Sequence, residues 1–156
     1  MSERDGEAGH RTPDGSDGSR LPLSCCIIAC NEERGIRRCL ESVRFADECV
    51  VVIDSRSSDA TEEIARELGA RVIEHPYQGN VEQKNFALSQ AKHDWVLSLD
   101  ADEAITEPLA REIRSLLAAP STDVYVYEIN RVTYLVGRWI GHVDFYPDWQ
   151  LRLFRR

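Results

Sequence analysis

Two aspartates spaced one residue apart give this sequence its strongest chemical signal. Asp100 and Asp102 stand in the stretch V-L-S-L-D-A-D-E, directly after a short apolar run. Such a run predicts a buried strand, and in open α/β sheets ligands bind at the carboxyl ends of the strands. Two neighbouring carboxylates at that edge need a cation or a donor-rich ligand to balance their charge. Their oxygens suit Mg²⁺ or Mn²⁺ carrying a diphosphate, whereas the alternative is a solvated loop.

The elements that must position these aspartates alternate along the chain. Apolar runs predict strands, and apolar residues at helical spacing predict the helices between them. Strands are predicted at residues 21–29, 48–54, 70–74, 94–99, 123–130 and 149–156, and helices at residues 33–43, 60–68, 79–91 and 108–118. This order predicts an α/β fold with a Rossmann-like, mostly parallel sheet flanked by helices.

Polar residues follow three of the predicted strands. Asn31 follows the first strand, Asp54 ends the second, and the aspartate pair follows the fourth. Because right-handed crossovers bring the carboxyl ends of parallel strands to one edge, we expect these residues to gather there. Asp54 can accept from a base N–H or a ribose hydroxyl, or it can merely cap a turn. Lys84, on the third predicted helix, can pair with a diphosphate or can stand in solvent.

Length and charge narrow the class of protein. The 156 residues predict one domain over residues 21–156, after a disordered tail over residues 1–20 with almost no apolar residues. The formal net charge of -8 argues against non-specific binding of nucleic acid. The sequence lacks both an apolar run of about 18 residues and the apolar region of a signal peptide. We therefore expect a cytoplasmic protein, with peripheral contact at the inner face of the cytoplasmic membrane left open.

The sequence lacks the motifs of several common types of functional site, which argues against those types. The five cysteines, an odd number, do not suggest a disulfide framework and are expected to be small buried hydrophobic residues. The letters A-C-N-E-E-R follow the first strand, where a dinucleotide-binding protein would carry G-x-G-x-x-G. The P-loop of nucleoside triphosphatases and the G-x-S-x-G of α/β-hydrolases do not occur. The four histidines form no spaced metal-binding pair.

Four motifs in series resemble those of the family 2 glycosyltransferases, which have the GT-A fold. They are I-I-A-C-N-E-E-R, V-V-I-D-S-R-S-S-D-A-T, Q-K-N-F-A-L and W-V-L-S-L-D-A-D-E. The final segment, G-R-W-I-G-H-V-D-F-Y-P-D-W-Q-L-R-L-F-R-R, is similar to that of the lipopolysaccharide core β-1,4-glucosyltransferase branch. The resemblance covers residues 21–156 and implies an enzyme that transfers a sugar from a nucleotide-sugar donor.

The resemblance implies a role for each matching residue. Cys30 and Asn31 would line the base pocket, and Asp54 would contact the base. Lys84 would approach the diphosphate, and Asp100 would bind the ribose or, indirectly, the metal. Asp102 would coordinate Mg²⁺ or Mn²⁺, which as a Lewis acid would hold negative charge on the leaving nucleoside diphosphate. Inversion would then need a single protein base to deprotonate the acceptor hydroxyl.

The sequence departs from the family pattern in two places. Arg56 stands where the family usually has glycine, and because glycine tolerates positive φ we expect a different loop there. Related enzymes continue for many residues and use a downstream H-E pair as the base, so the GT-A domain is expected to be incomplete at its C-terminus. Asp148 is the substitute catalytic base that we predict. The alternative is that Asp148 orders the acceptor loop through Arg152 or a backbone amide.

The resemblance implies an inverting glycosyltransferase that moves a hexose from a nucleotide sugar to a lipid-linked or cell-envelope saccharide. Its partners would be the nucleotide-sugar donor and a saccharide or glycolipid acceptor. One alternative is a truncated, non-catalytic module that still binds the nucleotide sugar. A sugar-phosphate nucleotidyltransferase shares this topology, but it would need a glycine-rich basic loop where A-C-N-E-E-R stands.

Overall fold

The computed structural model describes residues 20–135, 138–139 and 146–156. The predicted disordered tail lies outside these residues except for Arg20, which is exposed. Within the described part of the chain, no helix combines the length and the apolar character that crossing a bilayer requires.

Strands and helices alternate through the first two thirds of the chain, as predicted. The strands are β1 Leu21–Ala29, β2 Ala46–Asp54, β3 Arg71–His75, β4 Trp95–Asp100, β5 Val126–Arg131, β6 Tyr134–Leu135, β7 Arg138–Trp139 and β8 Asp148–Arg155. The helices are α1 Ile36–Ser42, α2 Thr61–Glu67, α3 Asn80–Ser89 and α4 Glu107–Ala118. The predicted boundaries agree with these to within about three residues, apart from the short β6 and β7, which the sequence did not suggest.

The main sheet is mixed, with a parallel part and an antiparallel part. Its six strands lie in the order β3-β2-β1-β4-β8-β5, and β6 pairs with β7 in a separate two-stranded sheet. β1 pairs in parallel with β2 and β4, and β2 pairs in parallel with β3. β8 runs antiparallel to both β4 and β5. The α/β sheet flanked by helices is therefore confirmed, and β8 returns from the far end of the sequence to lie beside β4.

Each face of the sheet carries its own apolar core. Because successive residues of a strand point to opposite faces, Cys25 and Ile27 of β1 pack in the cluster that includes α1 and α4, whereas Cys26 packs in the cluster that includes α3. A buried aliphatic side chain such as Ile27 contributes about 1.5–3 kcal/mol to the stability of the fold. These two cores fix the strands whose carboxyl ends carry the polar residues.

Helix α1 begins later than the sequence pattern predicted. The carbonyl of Glu32 accepts hydrogen bonds from the backbone N–H groups of Gly35 and Ile36, at 3.0 and 2.9 Å, and the chain turns before the helix starts. Asn31, just before this turn, has φ 55°, the only positive φ of a non-glycine residue in the described ranges. Asparagine adopts this left-handed conformation more readily than most residues.

Candidate functional site

The predicted polar residues meet at the carboxyl ends of three neighbouring strands. Cys30 and Asn31 follow β1, Asp54 is the last residue of β2, and Asp100 is the last residue of β4. Because β1 lies between β2 and β4, the three strand ends are adjacent in the sheet. The topology thus brings these residues to one edge, where open α/β sheets bind ligands.

Asn31 links the strand end of β1 to the loop that follows β2. Its backbone N–H donates to Ser57 Oγ at 3.0 Å, and its side-chain Oδ1 accepts from the backbone N–H of Ser58 at 2.9 Å. The positive φ of Asn31 is therefore stabilised by two bonds to a neighbouring loop, which the sequence pattern did not foresee.

A second set of hydrogen bonds joins the same two loops closer to the helices. The backbone N–H of Glu32 donates to Thr61 Oγ1 at 2.7 Å, and that of Glu33 donates to Asp59 Oδ2 at 3.0 Å. Partial burial raises the pKa of Glu32, and the carboxylates of Asp102 and Asp59 raise it further. The loops after β1 and β2 therefore form one hydrogen-bonded floor beside the aspartate pair.

Asp54 is buried and paired with the arginine that departs from the family pattern. Only 3% of the Asp54 surface is exposed. Arg56 donates to Asp54 Oδ2 from Nε at 3.0 Å and from Nη2 at 2.5 Å, and its backbone N–H donates to Oδ1 at 3.0 Å. These bonds lower the pKa of Asp54, so the carboxylate is ionised and fixed in orientation.

The guanidinium of Arg56 also lies over an aromatic ring, with its carbon 5.1 Å from the centroid of Tyr77. Arg56 itself does not adopt a positive φ, so this loop does not need the glycine of the family pattern. The sequence indicated that the loop would differ. What it did not indicate was the ion pair between Arg56 and Asp54.

Cys30 lies beside this pair and is exposed. Desolvation raises the pKa of its thiol, and the nearby Asp54 carboxylate raises it further. Cys30 is therefore a protonated, neutral thiol, which suits a role in the shape of a pocket rather than in nucleophilic chemistry.

Asp100 is held by two cations from different elements. Lys84 Nζ of α3 lies 2.8 Å from Oδ1, and Arg152 Nη2 of β8 lies 3.0 Å from Oδ2. Burial raises the pKa of Asp100, but the hydrogen bonds from Lys84 and Arg152 outweigh burial and the net shift is downward. Lys84 therefore lies at the carboxyl edge of the sheet, and its partner there is the Asp100 carboxylate.

Glu103 closes the turn that contains the aspartate pair. The backbone N–H of Asp100 donates to Glu103 Oε2 at 3.0 Å, and the backbone N–H of Glu103 donates to the Asp100 carbonyl at 3.0 Å. Arg152 Nη2 donates to Glu103 Oε1 at 2.5 Å, and Arg131 Nη1 lies 3.6 Å from the same atom. Glu103 was not predicted as a site residue, and Arg152 was expected only as a partner of Asp148, although both stand inside the quoted motifs.

Asp102 presents a carboxylate to solvent at the tip of this turn. Its backbone carbonyl accepts from Arg38 Nη2 at 2.7 Å, which anchors the turn to α1. Among the described residues, no group of three or more His, Cys, Asp or Glu side chains is arranged to hold a metal ion. Mg²⁺ is commonly held by one or two carboxylates together with substrate phosphates. An exposed carboxylate such as Asp102 fits that mode, in which the diphosphate brings the remaining ligands.

Asp148 is the first residue of β8 and is fully engaged with its neighbours. Arg131 Nε donates to Oδ2 at 2.7 Å, and Gln150 Nε2 donates to Oδ1 at 2.5 Å. The hydrogen bonds from Gln150 and Arg131 lower the pKa of Asp148, which makes it a weaker proton acceptor. Through Arg131 and Glu103, Asp148 is also connected to the aspartate turn.

The mostly parallel sheet, its flanking helices and the acidic turn at its carboxyl edge are features of glycosyltransferases of the GT-A type. Residues 24–156 match the family described as "Glycosyl transferase family 2". The chain therefore belongs to family 2 of the glycosyltransferases.

Curated relatives from bacteria are similar over most of this chain. An uncharacterized glycosyltransferase of Rickettsia typhi is 44% identical over 108 residues, which cover 69% of this chain and 37% of the relative. The lipopolysaccharide core biosynthesis glycosyltransferase LpsC of Rhizobium meliloti is 34% identical over 142 residues, which cover 88% of this chain and 52% of the relative. The chain thus spans between about a third and a half of the length of these relatives.

Solved glycosyltransferases share the fold. The structure of Staphylococcus aureus TarS, residues 1–349, matches with a TM-score of 0.54 and 27% identity, over 62% of this chain and 32% of that chain. The mannosyltransferase PcManGT from Pyrobaculum calidifontis, in complex with GDP-Man and Mn²⁺, matches with a TM-score of 0.56 and 23% identity, over 69% of this chain and 34% of that chain.

Proposed function

We propose that this chain forms the donor-binding part of an inverting glycosyltransferase, which moves a hexose from a nucleotide sugar to a lipid-linked or cell-envelope saccharide. The observation that carries the proposal is the gathering of Asn31, Asp54, Asp100 and Asp102 at the carboxyl ends of the parallel strands. Membership of family 2 supports the reaction class, and the similarity to LpsC, named for lipopolysaccharide core biosynthesis, supports the acceptor class.

Each residue of the edge has a part in the proposed donor site. The hydrogen-bonded floor around Asn31 supports the base, beside Cys30 and the fixed carboxylate of Asp54. Asp100 lies where the ribose would follow, and Lys84 is close enough to turn from Asp100 towards a diphosphate. Asp102 would hold Mg²⁺ or Mn²⁺, and the bound ion would supply charge stabilisation for the leaving diphosphate.

The acceptor side needs a base, and Asp148 is the residue that we propose for it. Asp148 lies within the same network as the aspartate turn, because Arg131 contacts both Asp148 and Glu103. Its lowered pKa means that it accepts a proton only if the contact with Arg131 loosens during the reaction. The assignment of Asp148 as the base therefore fails if Arg131 stays bound to Asp148 throughout the reaction.

A second candidate function is a module that binds the nucleotide sugar without transferring it. The observation that favours this alternative is the full engagement of Asp148 by Arg131 and Gln150. A cytoplasmic location and contact with the inner face of the membrane are part of the first proposal, because an envelope glycolipid acceptor is membrane-bound.

Calorimetric titration with nucleoside diphosphates, with and without Mn²⁺, tests donor binding. We expect Mn²⁺ to increase the affinity for the parent chain and to have little effect on an Asp102→Asn variant. Asp123→Asn is the matched control, because Asp123 is an exposed aspartate in the loop between α4 and β5. Equal affinity and equal metal dependence in the parent and Asp102→Asn would show that the donor-site assignment is wrong.

A donor-hydrolysis assay separates the two candidate functions. Slow release of free hexose from a nucleotide sugar, abolished in Asp148→Asn, supports the transferase. Donor binding without any hydrolysis or transfer supports the binding module.

A further inference from the structure

Arg152 is a buried cation that connects β8 to the turn after β4. Only 6% of its surface is exposed, which is unusual for an arginine. Its Nη2 atom donates both to Asp100 Oδ2 at 3.0 Å and to Glu103 Oε1 at 2.5 Å. A charge buried to this degree is stable because both partners are carboxylates, and loss of either partner would leave the guanidinium incompletely paired.

An irregularity in β8 coincides with this residue. Tyr127 of β5 is opposite Leu153, but the next residue, Glu128, is opposite Leu151. Arg152 is therefore the additional residue of a β-bulge and has no partner on β5. Bulges next to active sites re-aim a side chain, and here the aim is towards the end of β4.

The bonds of Arg152 complete a closed turn around the aspartate pair. Glu103 accepts the backbone N–H of Asp100 with one carboxylate oxygen and binds Arg152 with the other. Asp100 in turn is bound by Lys84 and Arg152 on its two oxygens. The turn is thus fastened to β8 at both of its ends, and only the residues between them, Ala101 and Asp102, lie outside these bonds.

We propose that Arg152 is a positioning residue for the metal-binding carboxylate, and that it acts by fastening the Asp100–Glu103 turn so that Asp102 faces the donor diphosphate. Arg152 does not touch the donor in this proposal. It neutralises Asp100 and Glu103, and so prevents these two carboxylates from competing with Asp102 for the metal ion. The inference rests on the proposed function of the edge as a donor site, and it adds the residue that sets the geometry of that site.

Two features of the geometry make the proposal distinct from a general role in stability. Both bonds leave from a single nitrogen, so the ammonium of lysine can in principle reproduce them. Glu103 and Asp100 each retain another cation, Arg131 and Lys84, so the fold has other ion pairs at this place when Arg152 is lost. Loss of Arg152 should therefore loosen the turn more than it unfolds the domain.

The experiment compares Arg152→Gln and Arg152→Lys with the parent chain and with Leu153→Ala. Leu153 is the buried neighbour of Arg152 on the same strand and is 1% exposed. Its truncation therefore destabilises the strand without removing the bonds from Arg152 to Asp100 and Glu103. The first readout is amide hydrogen exchange in the Asp100–Glu103 turn, which needs no ligand. The second is the affinity for UDP, GDP, CDP and ADP, each with and without Mn²⁺.

We expect Arg152→Gln to speed exchange in the turn and to reduce the Mn²⁺-dependent affinity at least about tenfold, which is about 1.4 kcal/mol. Binding without Mn²⁺ should change little, Arg152→Lys should recover part of the loss, and Leu153→Ala should lower the melting temperature but keep the metal dependence. Unchanged exchange in Arg152→Gln, or faster exchange with unchanged Mn²⁺-dependent affinity, would overturn the inference. If the parent chain binds none of the diphosphates, the proposed function fails first and the positioning role fails with it.

Discussion

Gly35 lies against the carbonyl of Ala101 so closely that a Cβ atom at residue 35 would be 2.9 Å from that oxygen. The same Cβ would be 3.2 Å from the Cα of Asp102. The start of α1 and the aspartate turn are therefore in direct backbone contact, and glycine is the residue that permits it. Neither atom can move away cheaply, because both belong to the backbone.

The first prediction is that Gly35→Ala displaces the aspartate turn. We expect a loss of about 1–3 kcal/mol in the free energy of unfolding, as for other cases of overpacking, together with weaker Mn²⁺-dependent binding of nucleoside diphosphates. Gly69→Ala is the control, because Gly69 has φ +81° and open space around its Cβ position. It should be destabilised by backbone strain alone and should bind as the parent does. Loss of binding in both variants would contradict the contact argument.

The second prediction concerns the ion pair between Asp54 and Arg56. Hydrogen bonds from Arg56 lower the pKa of Asp54, so Arg56→Gly should raise that pKa towards the ordinary value of an aspartate. A carboxylate with a depressed pKa stays ionised to a lower pH. Nucleotide binding that needs this charge therefore also persists to a lower pH. Titration of nucleotide binding against pH should therefore show the acid loss of affinity at a higher pH in Arg56→Gly.

Arg66→Gly is the control for this titration, since Arg66 pairs with the exposed Glu62 on α2. Its binding profile should follow that of the parent. Identical profiles for the parent and Arg56→Gly would show that Asp54 does not contact the base.

The third prediction concerns Glu48, a buried carboxylate near the amino end of β2 and away from the candidate site. Its loss should therefore affect stability but not binding. Glu48 accepts from Ser24 Oγ at 2.7 Å, from the backbone N–H of Lys92 at 2.9 Å and from Arg71 Nη2 at 2.9 Å. Removal of one partner of a buried pair costs about 3–5 kcal/mol. We expect Glu48→Ala to be near 3 kcal/mol, because Arg71 is partly exposed and can regain water. Chemical unfolding measures the loss, and binding per folded molecule should be unchanged.

The pH dependence of that stability has a definite sign. Burial raises the pKa of Glu48, but hydrogen bonds from Ser24, the Lys92 amide and Arg71 outweigh burial and lower it. The stabilisation is therefore present above the pKa of an unfolded glutamate and is lost as pH falls through the folded value. The stability of Glu48→Gln should decline less than that of the parent over this acidic range. If the free energy of unfolding fell equally with pH in the parent and in Glu48→Gln, Glu48 would not be the source of this pH dependence.

The fourth prediction concerns Asp148 and the arginine that holds it. If Asp148 is the base, Asp148→Asn should abolish hydrolysis and transfer while donor binding remains. Arg131→Gln removes a hydrogen bond that lowers the pKa of Asp148, so the acid limb of the rate profile should move to higher pH. A rate profile that is the same in the parent and Arg131→Gln would exclude Asp148 as the titrating base.

The sequence predicted the parallel part of the sheet well because its signal is local. Short apolar runs that end in Asp54 and Asp100 are sufficient to locate β2 and β4, and handed crossovers then bring their ends together. The same local pattern predicted α1 three residues too early, at Glu33, because it did not show the turn closed by the Glu32 carbonyl. The contact between Gly35 and Ala101, which joins residues far apart in sequence, was not predicted either. No periodicity reports such a contact.

The paired state of the predicted site residues was beyond the reach of sequence reasoning for a similar reason. Lys84, Arg152 and Arg131 each find a carboxylate on another element, and for Arg152 and Arg131 the partner depends on the position of β8. The motif that contains Arg152 was recognised, yet its role depends on a shift of one residue in strand pairing. Such shifts depend on packing and leave little trace in composition.

The position of β8 has a consequence for the order in which this protein can be assembled. Arg152 lies 52 residues after Asp100, and β8 inserts between β4 and β5. While the chain is being synthesised, β4 can pair only with β1 and remains an exposed edge strand until β8 has emerged, and exposed edges invite pairing with other chains. The Asp100–Glu103 turn is therefore completed only once Arg152 has emerged, so the fastening of this turn and the protection of β4 arise in the same folding event.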